Sequence, residues 1–233
     1  PKNYEVMAGD MADLGFVGVD INMGCPIKDM IKKGACSAMI QNPELANAAI
    51  DSAKKGTKGK IPVSVKTRIG FNKIDTQNWI GNLLEQNIDA LIVHGRTRKE
   101  MSKVPAHWDE IKKAVILRDK IAPNTVIIGN GDVASVEQGI ALAKETGVDG
   151  IMIGRGIFHD LFVFEKIKKS HTPKEMFGIL LEHIKLYDKQ WGRERSYEPL
   201  KKFYKIYING FDVASKIRAE IMNTRNVAEG KEF

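Results

Sequence analysis

The residues able to do chemistry stand in a few short clusters. Cys25, in Asn22-Met23-Gly24-Cys25-Pro26, ends the first strand-like run, and Pro26 restricts the backbone just after it. A free thiol, with a pKa near ~8.5, is mostly protonated at neutral pH and can donate a proton. As a nucleophile it would need a base beside it, and the local sequence offers none. The plainer account is packing, since cysteine is often buried. Cys36, in Gly34-Ala35-Cys36-Ser37-Ala38, is read as packing. Lys66 lies in Val63-Ser64-Val65-Lys66-Thr67-Arg68. It could form a Schiff base, set a positive charge against an anionic ring, or simply reach solvent on its stem. His94 follows Leu91-Ile92-Val93 and gains weight from Lys66, one strand away. Two glycine clusters, Gly129-Asn130-Gly131-Asp132 and Gly154-Arg155-Gly156, can turn backbone N–H groups toward phosphate, with Arg155 adding charged donors.

Each cluster follows a short apolar run and precedes a helical pattern. The runs cover 15–21, 61–65, 90–93, 125–128 and 150–153, apolar enough on both faces to predict parallel strands under helices. Between them, Asn42 with Pro43 starts one helix, Asp75 or Thr76 is expected to cap 77–86, and Ser135 caps 136–145, closed by Gly147. Beyond Lys169 the pattern changes. Thr172-Pro173 opens a helical stretch over 174–190, and 198–208 and 212–223 continue as helices with no further strand-like run. The division predicted is 1–169, an α/β domain, and 170–233, a small helical one.

The glycine clusters follow the last two visible strands. A doubly wound nucleotide-binding sheet places its glycine loop after the first strand, whereas a (β/α)8 TIM barrel holds phosphate after strands seven and eight. The placement predicts the barrel. Five strands cannot close one, so the expectation is that three βα units, roughly 80 residues of a typical ~250, lie upstream.

Composition narrows the classes. Hydrophobic residues are 43% and charged residues 28% of 233, enough for a real core. No apolar run approaches the ~18 residues of a membrane span. Two cysteines argue against a disulfide scaffold or a clustered zinc site, and no metal is expected. A reduced, cytoplasmic setting is the expectation. The net charge is +7, and residues 161–233 carry 15 Lys and Arg against 10 Asp and Glu, so an acidic partner is in view. Arg96, Arg98 and Lys99 form one basic cluster, and Lys201, Lys202 and Lys205, interleaved with Tyr204 and Tyr207, another. Either is a solvated face or a phosphate-backbone contact.

Taken in order, Asp20-Ile21-Asn22-Met23-Gly24-Cys25-Pro26, Val65-Lys66-Thr67-Arg68, His94-Gly95-Arg96-Thr97, Gly129-Asn130-Gly131-Asp132 and Gly154-Arg155-Gly156 resemble the tRNA-dihydrouridine synthases. The tail from Pro199-Leu200-Lys201-Lys202-Phe203-Tyr204 to Arg218 resembles their helical RNA-binding domain. The resemblance implies an FMN-containing TIM barrel, here strands four to eight, that reduces the 5,6 double bond of particular tRNA uridines with NADPH as electron source. It implies that Cys25 protonates C5 while reduced FMN delivers hydride to C6. Lys66 would meet the flavin's pyrimidine edge, and His94 would lie by its ring system. Asn130, Gly131, Asp132, Gly154 and Arg155 would hold the ribityl-phosphate. Asn22 and Arg68 match positions facing the uracil, and Arg96 and Arg98 are taken as substrate-binding with them. The chain departs from the family where Ser102, Val104 and Ala106-His107-Trp108 replace the usual Tyr, Gly and Ala-Asp-Trp, and where Cys36 holds a place often given to Gly.

No protein partner is indicated, and a monomer is expected. Two other readings stay open. One is a sugar-phosphate aldolase using Lys66 as Schiff-base lysine, and the other a non-catalytic RNA-binding factor.

Overall fold

The computed structural model describes residues 1–167, 169–192 and 194–232. They form two compact units, Pro1–Gly156 and Ile157–Phe233. In the first, β1 (Val19–Met23), β2 (Val63–Arg68), β3 (Ala90–His94), β4 (Val126–Asn130) and β5 (Gly150–Met152) make one parallel sheet. Each strand lies beside the next in sequence. A doubly wound sheet would reverse direction at a switch point, so this α/β winding is that of a barrel wall.

The helices are α1 (Lys2–Asp13), α2 (Lys28–Lys32), α3 (Pro43–Thr57), α4 (Gly81–Leu84), α5 (Trp108–Ile121) and α6 (Val136–Thr146). Their ends largely follow local chemistry. The Asn42 side chain accepts from Leu45 N–H at 3.1 Å and Ser135 Oγ from Gln138 N–H at 3.1 Å, and Gly147 closes α6 at φ +79°. Two expectations shift. The run expected from residue 15 begins as a strand only at Val19, because Gly15 (φ +81°) and the Phe16 N–H to Met11 C=O bond of 3.1 Å belong to the end of α1. The helix expected over 77–86 is instead a π-helical turn, Thr76–Ile80, running into α4. The Asp75 carboxylate accepts from the Asn78 side chain at 2.7 Å rather than capping the backbone.

The register divides the sheet into two faces. Ile21, Met23, Val63, Val65, Leu91, Val93 and Ile127 point under the helices and pack with Ala46, Ala49, Ile50, Leu83, Leu84, Ile111 and Ala114 in one core. Trp79, 2% exposed, donates from Nε1 to Thr67 Oγ1 at 2.9 Å, which satisfies its one polar atom inside that core. The opposite face is not the second apolar face that the sequence suggested. Cα pairing sets Asn22 beside Lys66 and Lys66 beside Ile92, and, one step further along, Arg68 beside His94 and His94 beside Asn130. Residues paired this way project to one side, so the carboxyl end of the sheet carries a mixed row through Asn22, Lys66 and Ile92 and, two residues further out, a polar one through Arg68, His94 and Asn130.

At the other end of the strands one device repeats. Asp89 Oδ2 accepts from Val63 N–H at 2.7 Å, and Asp149 Oδ2 from Ile127 N–H at 2.7 Å. Asp149 also accepts from Arg118 Nη1 at 2.6 Å, while the same nitrogen donates to Thr125 C=O at 2.9 Å. Partial burial pushes the Asp149 carboxyl up, but the bonds from Ile127 and Arg118 outweigh it and hold the pKa below the usual carboxylate value. The stabilisation is therefore present above the ordinary pKa of ~3.9 and lost as pH falls through the lower folded value. Because the side chain is 41% exposed, solvent screening limits its worth to about 1 kcal/mol. Asp149→Ala is expected to lower the melting temperature by about 2–4 °C at pH 7, with the difference from the parent narrowing in acid. Thermal melts at pH 7 and pH 3 check this, and equal differences at both would refute it.

The second unit is helical among the described residues: α7 (Pro173–Trp191), α8 (Glu198–Lys201), α9 (Tyr204–Tyr207), α10 (Ala214–Met222) and α11 (Val227–Glu232). α7 opens with a reciprocal capping box between Thr172 and Glu175. The helix expected over 198–208 is broken in two, because Phe203 N–H bonds Leu200 C=O (3.0 Å) and Ile206 N–H bonds Phe203 C=O (2.9 Å), i→i+3 links that tighten the turn. Leu180, Ile184, Leu200, Tyr204, Tyr207 and Ile208 form its core. No helix among the described residues is long and apolar enough to cross a membrane.

Candidate active site

The loop after β1 is shaped by Asn22. Its Oδ1 accepts from the N–H groups of both Gly24 and Cys25 at 3.0 Å, so the side chain turns the backbone just where the strand pairing stops. Arg68 Nε donates to Gly24 C=O at 2.8 Å, and Ser37 N–H to Cys25 C=O at 3.3 Å. Cys25 thus sits half-buried on a loop pinned on both sides. Asn22, expected to face the substrate, has its carbonyl oxygen committed to this loop.

Lys66 and His94 stand on the polar face, Lys66 on the inner of its two rows and His94 on the outer. Lys66 Nζ donates to Asn130 Oδ1 at 3.3 Å, and Asn130 Nδ2 donates to Met152 C=O at 2.8 Å, which fixes the amide's orientation. Burial pushes the Lys66 pKa down, Arg68 pushes it further, and Asp20 opposes them. His94 is pushed down to about 3, by burial first and then by Arg68, Lys66 and Arg96. Its Nε2 lies 3.2 Å from Arg96 Nη1. Arginine only donates, so Nε2 accepts and the ring proton belongs on Nδ1. His94 is accordingly a neutral imidazole throughout the physiological range. Its NMR titration is expected to show no inflection between pH 5 and 8, and a midpoint near 6.5 would refute the buried cationic surroundings.

The three arginines do different work. Arg68, 7% exposed, also donates from Nη1 to Thr97 C=O and Met101 C=O, each at 3.1 Å, joining the loops after β1 and β3. Arg96 does not lie on an exposed basic loop. It is 2% exposed, donates from Nε to Val104 C=O at 2.5 Å, and pairs through Nη2 with Asp132. Arg98 is half-buried with its guanidinium 5.1 Å from the centre of the Phe71 ring.

Asp132 ties the glycine clusters together. Oδ2 receives Arg96 and the Ala106 N–H (2.9 Å), while Oδ1 is 3.6 Å from Arg155 Nη2. Burial raises its pKa, but Arg96, the Ala106 N–H and Arg155 lower it by more. At Gly131, φ +138°, an added Cβ would sit 2.6 Å from the Ala106 Cβ, so only glycine lets the loops meet. At Gly154 the nearest atom to such a Cβ is 3.9 Å away, leaving open space beside the exposed Arg155.

Sequence reasoning missed two features. Thr97 and Glu100 form a reciprocal turn, with Thr97 N–H to Glu100 Oε2 at 2.7 Å, Glu100 N–H to Thr97 Oγ1 at 3.2 Å, and His107 Nε2 on Glu100 Oε1 at 3.0 Å. The Thr-x-x-Glu spacing was the available signal. Cys36 lies beside Cys25. Burial first, and then the neighbouring Cys25, push the Cys36 pKa up. The ten residues of intervening sequence gave no sign of that proximity.

A model of the dihydrouridine synthase (Dus) family matches residues 1–233. A probable tRNA-dihydrouridine synthase of Staphylococcus epidermidis is 46% identical over 235 residues, covering 100% of this chain and 71% of that protein. A probable tRNA-dihydrouridine synthase of Staphylococcus aureus is 44% identical over 99% of this chain and 70% of its own length. Probable tRNA-dihydrouridine synthase 2 of Bacillus subtilis is 46% identical over 98% and 70%. The chain belongs to the dihydrouridine synthase family.

As a dihydrouridine synthase it is a flavin-dependent oxidoreductase, and the residues at the carboxyl rim fit such a cofactor. Lys66, Arg68, His94 and Arg96 crowd donors around a face with few acids, Asp20 opposing the downward push on the Lys66 pKa and Asp132 that on His94. An anionic ring edge would relieve that imbalance. The open space at Gly154 beside the exposed Arg155 suits a phosphate. In the synthase's second unit the interleaved residues separate. Tyr204 (1% exposed) and Tyr207 (7%) are core, and Lys201 is buried against Glu198 and Met222 C=O. Lys202 and Lys205 remain exposed, and with Phe158, His159, Phe203, Ile206 and Asn209 they line a cavity of about 640 Å³.

Proposed function

We propose that this protein reduces the 5,6 double bond of specific uridines in tRNA to dihydrouridine, with Cys25 as the acid that protonates C5. FMN, when bound, supplies the hydride that goes to C6, with NADPH as the electron source. The observation that carries the reading is that a pinned thiol, a partly desolvated lysine and a neutral histidine stand at the carboxyl ends of three neighbouring strands, β1, β2 and β3. Lys66 balances negative charge at the pyrimidine edge of the ring system, and His94 offers its Nδ1 proton beside it. Asn130 orients Lys66. Gly131 and Gly154 give room for the ribityl-phosphate, Arg155 pairs with the phosphate, and Asp132 positions Arg155. Arg68 and Asn22 keep the Cys25 loop at the distance a flat pyrimidine needs, while Arg96 and Arg98 brace the facing loop. A uridine must leave its stack to enter, and residues 170–233, with Lys202 and Lys205 exposed, form the surface we assign to the tRNA backbone. We assign it to the cytoplasm, acting as a monomer.

The test is the visible spectrum of the purified protein, expected to show bound flavin, followed by nucleoside analysis of tRNA incubated with protein and NADPH. The depressed pKa of Lys66 also suits a Schiff-base lysine. A colourless protein trapped on Lys66 by borohydride with a sugar phosphate would replace the reductase reading with an aldolase.

A further inference from the structure

Cys36 has no part in the proposed chemistry, yet it stands against the one residue on which that chemistry turns. Ser37 N–H donates to the carbonyl of Cys25 itself at 3.3 Å, so the peptide following Cys36 is fastened to the catalytic loop. Cys25 is the charged neighbour that, after burial, pushes the Cys36 thiol pKa up, and both residues are free cysteines, half-exposed, where a small oxidant can reach them. Cys36 holds φ 55°, a conformation that costs glycine nothing and cysteine something. It begins a 3₁₀ turn, Cys36–Gln41, and Cys25 lies on a loop, so neither sulfur is held by a regular helix or strand.

We propose that Cys25 and Cys36 are a redox-modification site, in which a hydroperoxide converts them to a reversible disulfide that withdraws the proton donor. The functional consequence rests on the proposed role of Cys25; the sulfur chemistry does not. The Cys25 sulfur attacks the peroxide O–O bond, giving a sulfenic acid and, from hydrogen peroxide, one water. The Cys36 sulfur then displaces hydroxide: the S–O bond breaks, the S–S bond forms, and the Cys36 proton leaves with the hydroxide as a second water. Two electrons pass from the thiols to the peroxide. A dithiol reductant reverses the step by exchange. The adjacent thiol thereby intercepts Cys25 before it reaches the irreversible sulfinic acid.

Trypsin separates the two residues into peptides 3–28 and 34–54. After treatment of the purified protein with hydrogen peroxide, mass spectrometry without reduction is expected to show these peptides joined with the loss of two hydrogens, and dithiothreitol to part them. Cys36→Ser should abolish the joined species and send Cys25 to sulfinic acid. Cys36→Gly, which suits the backbone conformation, should do the same and guards against misfolding of the serine variant. Dihydrouridine formation should return on reduction in the parent and stay lost in both variants. Oxidation of Cys25 to sulfinic acid in the parent, with Cys36 still open to alkylation, would overturn the proposal. The acid role of Cys25 fails separately, through an active Cys25→Ala variant, whatever the peptide masses show.

Discussion

Cys25→Ala is expected to cut dihydrouridine formation by about 10²- to 10⁴-fold, the range of a lost general acid, while leaving the flavin spectrum unchanged. The structure explains why the loss should be chemical. Every bond that holds the loop goes to backbone: Asn22 to the Gly24 and Cys25 N–H groups, Arg68 to Gly24 C=O, and Ser37 to Cys25 C=O. None uses the sulfur. The truncation removes one half-exposed atom, and the melting temperature should move by no more than a degree or two. Turnover of tRNA and a thermal melt on the same preparation separate the two outcomes. A variant as active as the parent would end the assignment of Cys25 as proton donor.

Arg68→Ala should damage both stability and turnover. The guanidinium ties three carbonyls, Gly24 at 2.8 Å and Thr97 and Met101 at 3.1 Å, from loops after two different strands. Each buried acceptor left without a donor costs roughly 1–3 kcal/mol, and partial relaxation makes a total of about 3 kcal/mol the expected loss. The electrostatic consequence has a definite sign. Arg68 lowers the pKa of both Lys66 and His94, so both should rise when it is removed. Arg68→Lys should not rescue, because a single ammonium cannot match a planar fork that serves three acceptors. A melt, the His94 titration and the rate with tRNA test all three consequences. An Arg68→Ala protein that melts with the parent and keeps its rate would show that the loops hold without the clamp.

Local chemistry along the chain was a good guide wherever a few neighbouring residues settle the outcome. The caps of α3, α6 and α7 depend on one side chain reaching a backbone N–H three residues on, and they were legible. The order of strands and the placement of polar clusters at their carboxyl ends followed from apolar runs ending in glycine, lysine or histidine. The 77–86 and 198–208 stretches were not legible in detail, since their helical periodicity is silent on whether the turn widens or tightens once packed. The basic clusters misled most. Charge along a sequence does not show which face a side chain occupies, and Arg96 and Lys201 turn inward to bond carbonyls and acids while Lys202 and Lys205 do not.

The alternating α/β winding, the identity of the thiol, lysine, histidine and glycines at the strand ends, and the family they belong to could all be read along the chain. Those features are set by residue type, period and order. It took the folded chain to show that Lys66 and Asn130, 64 positions apart, meet across the sheet, that Asp132 answers to Arg96, and that the peptide after Cys36 is fastened to Cys25. Such contacts arise from register between strands and from loops folding back over them, and no local pattern encodes the distance between two points far apart along a chain.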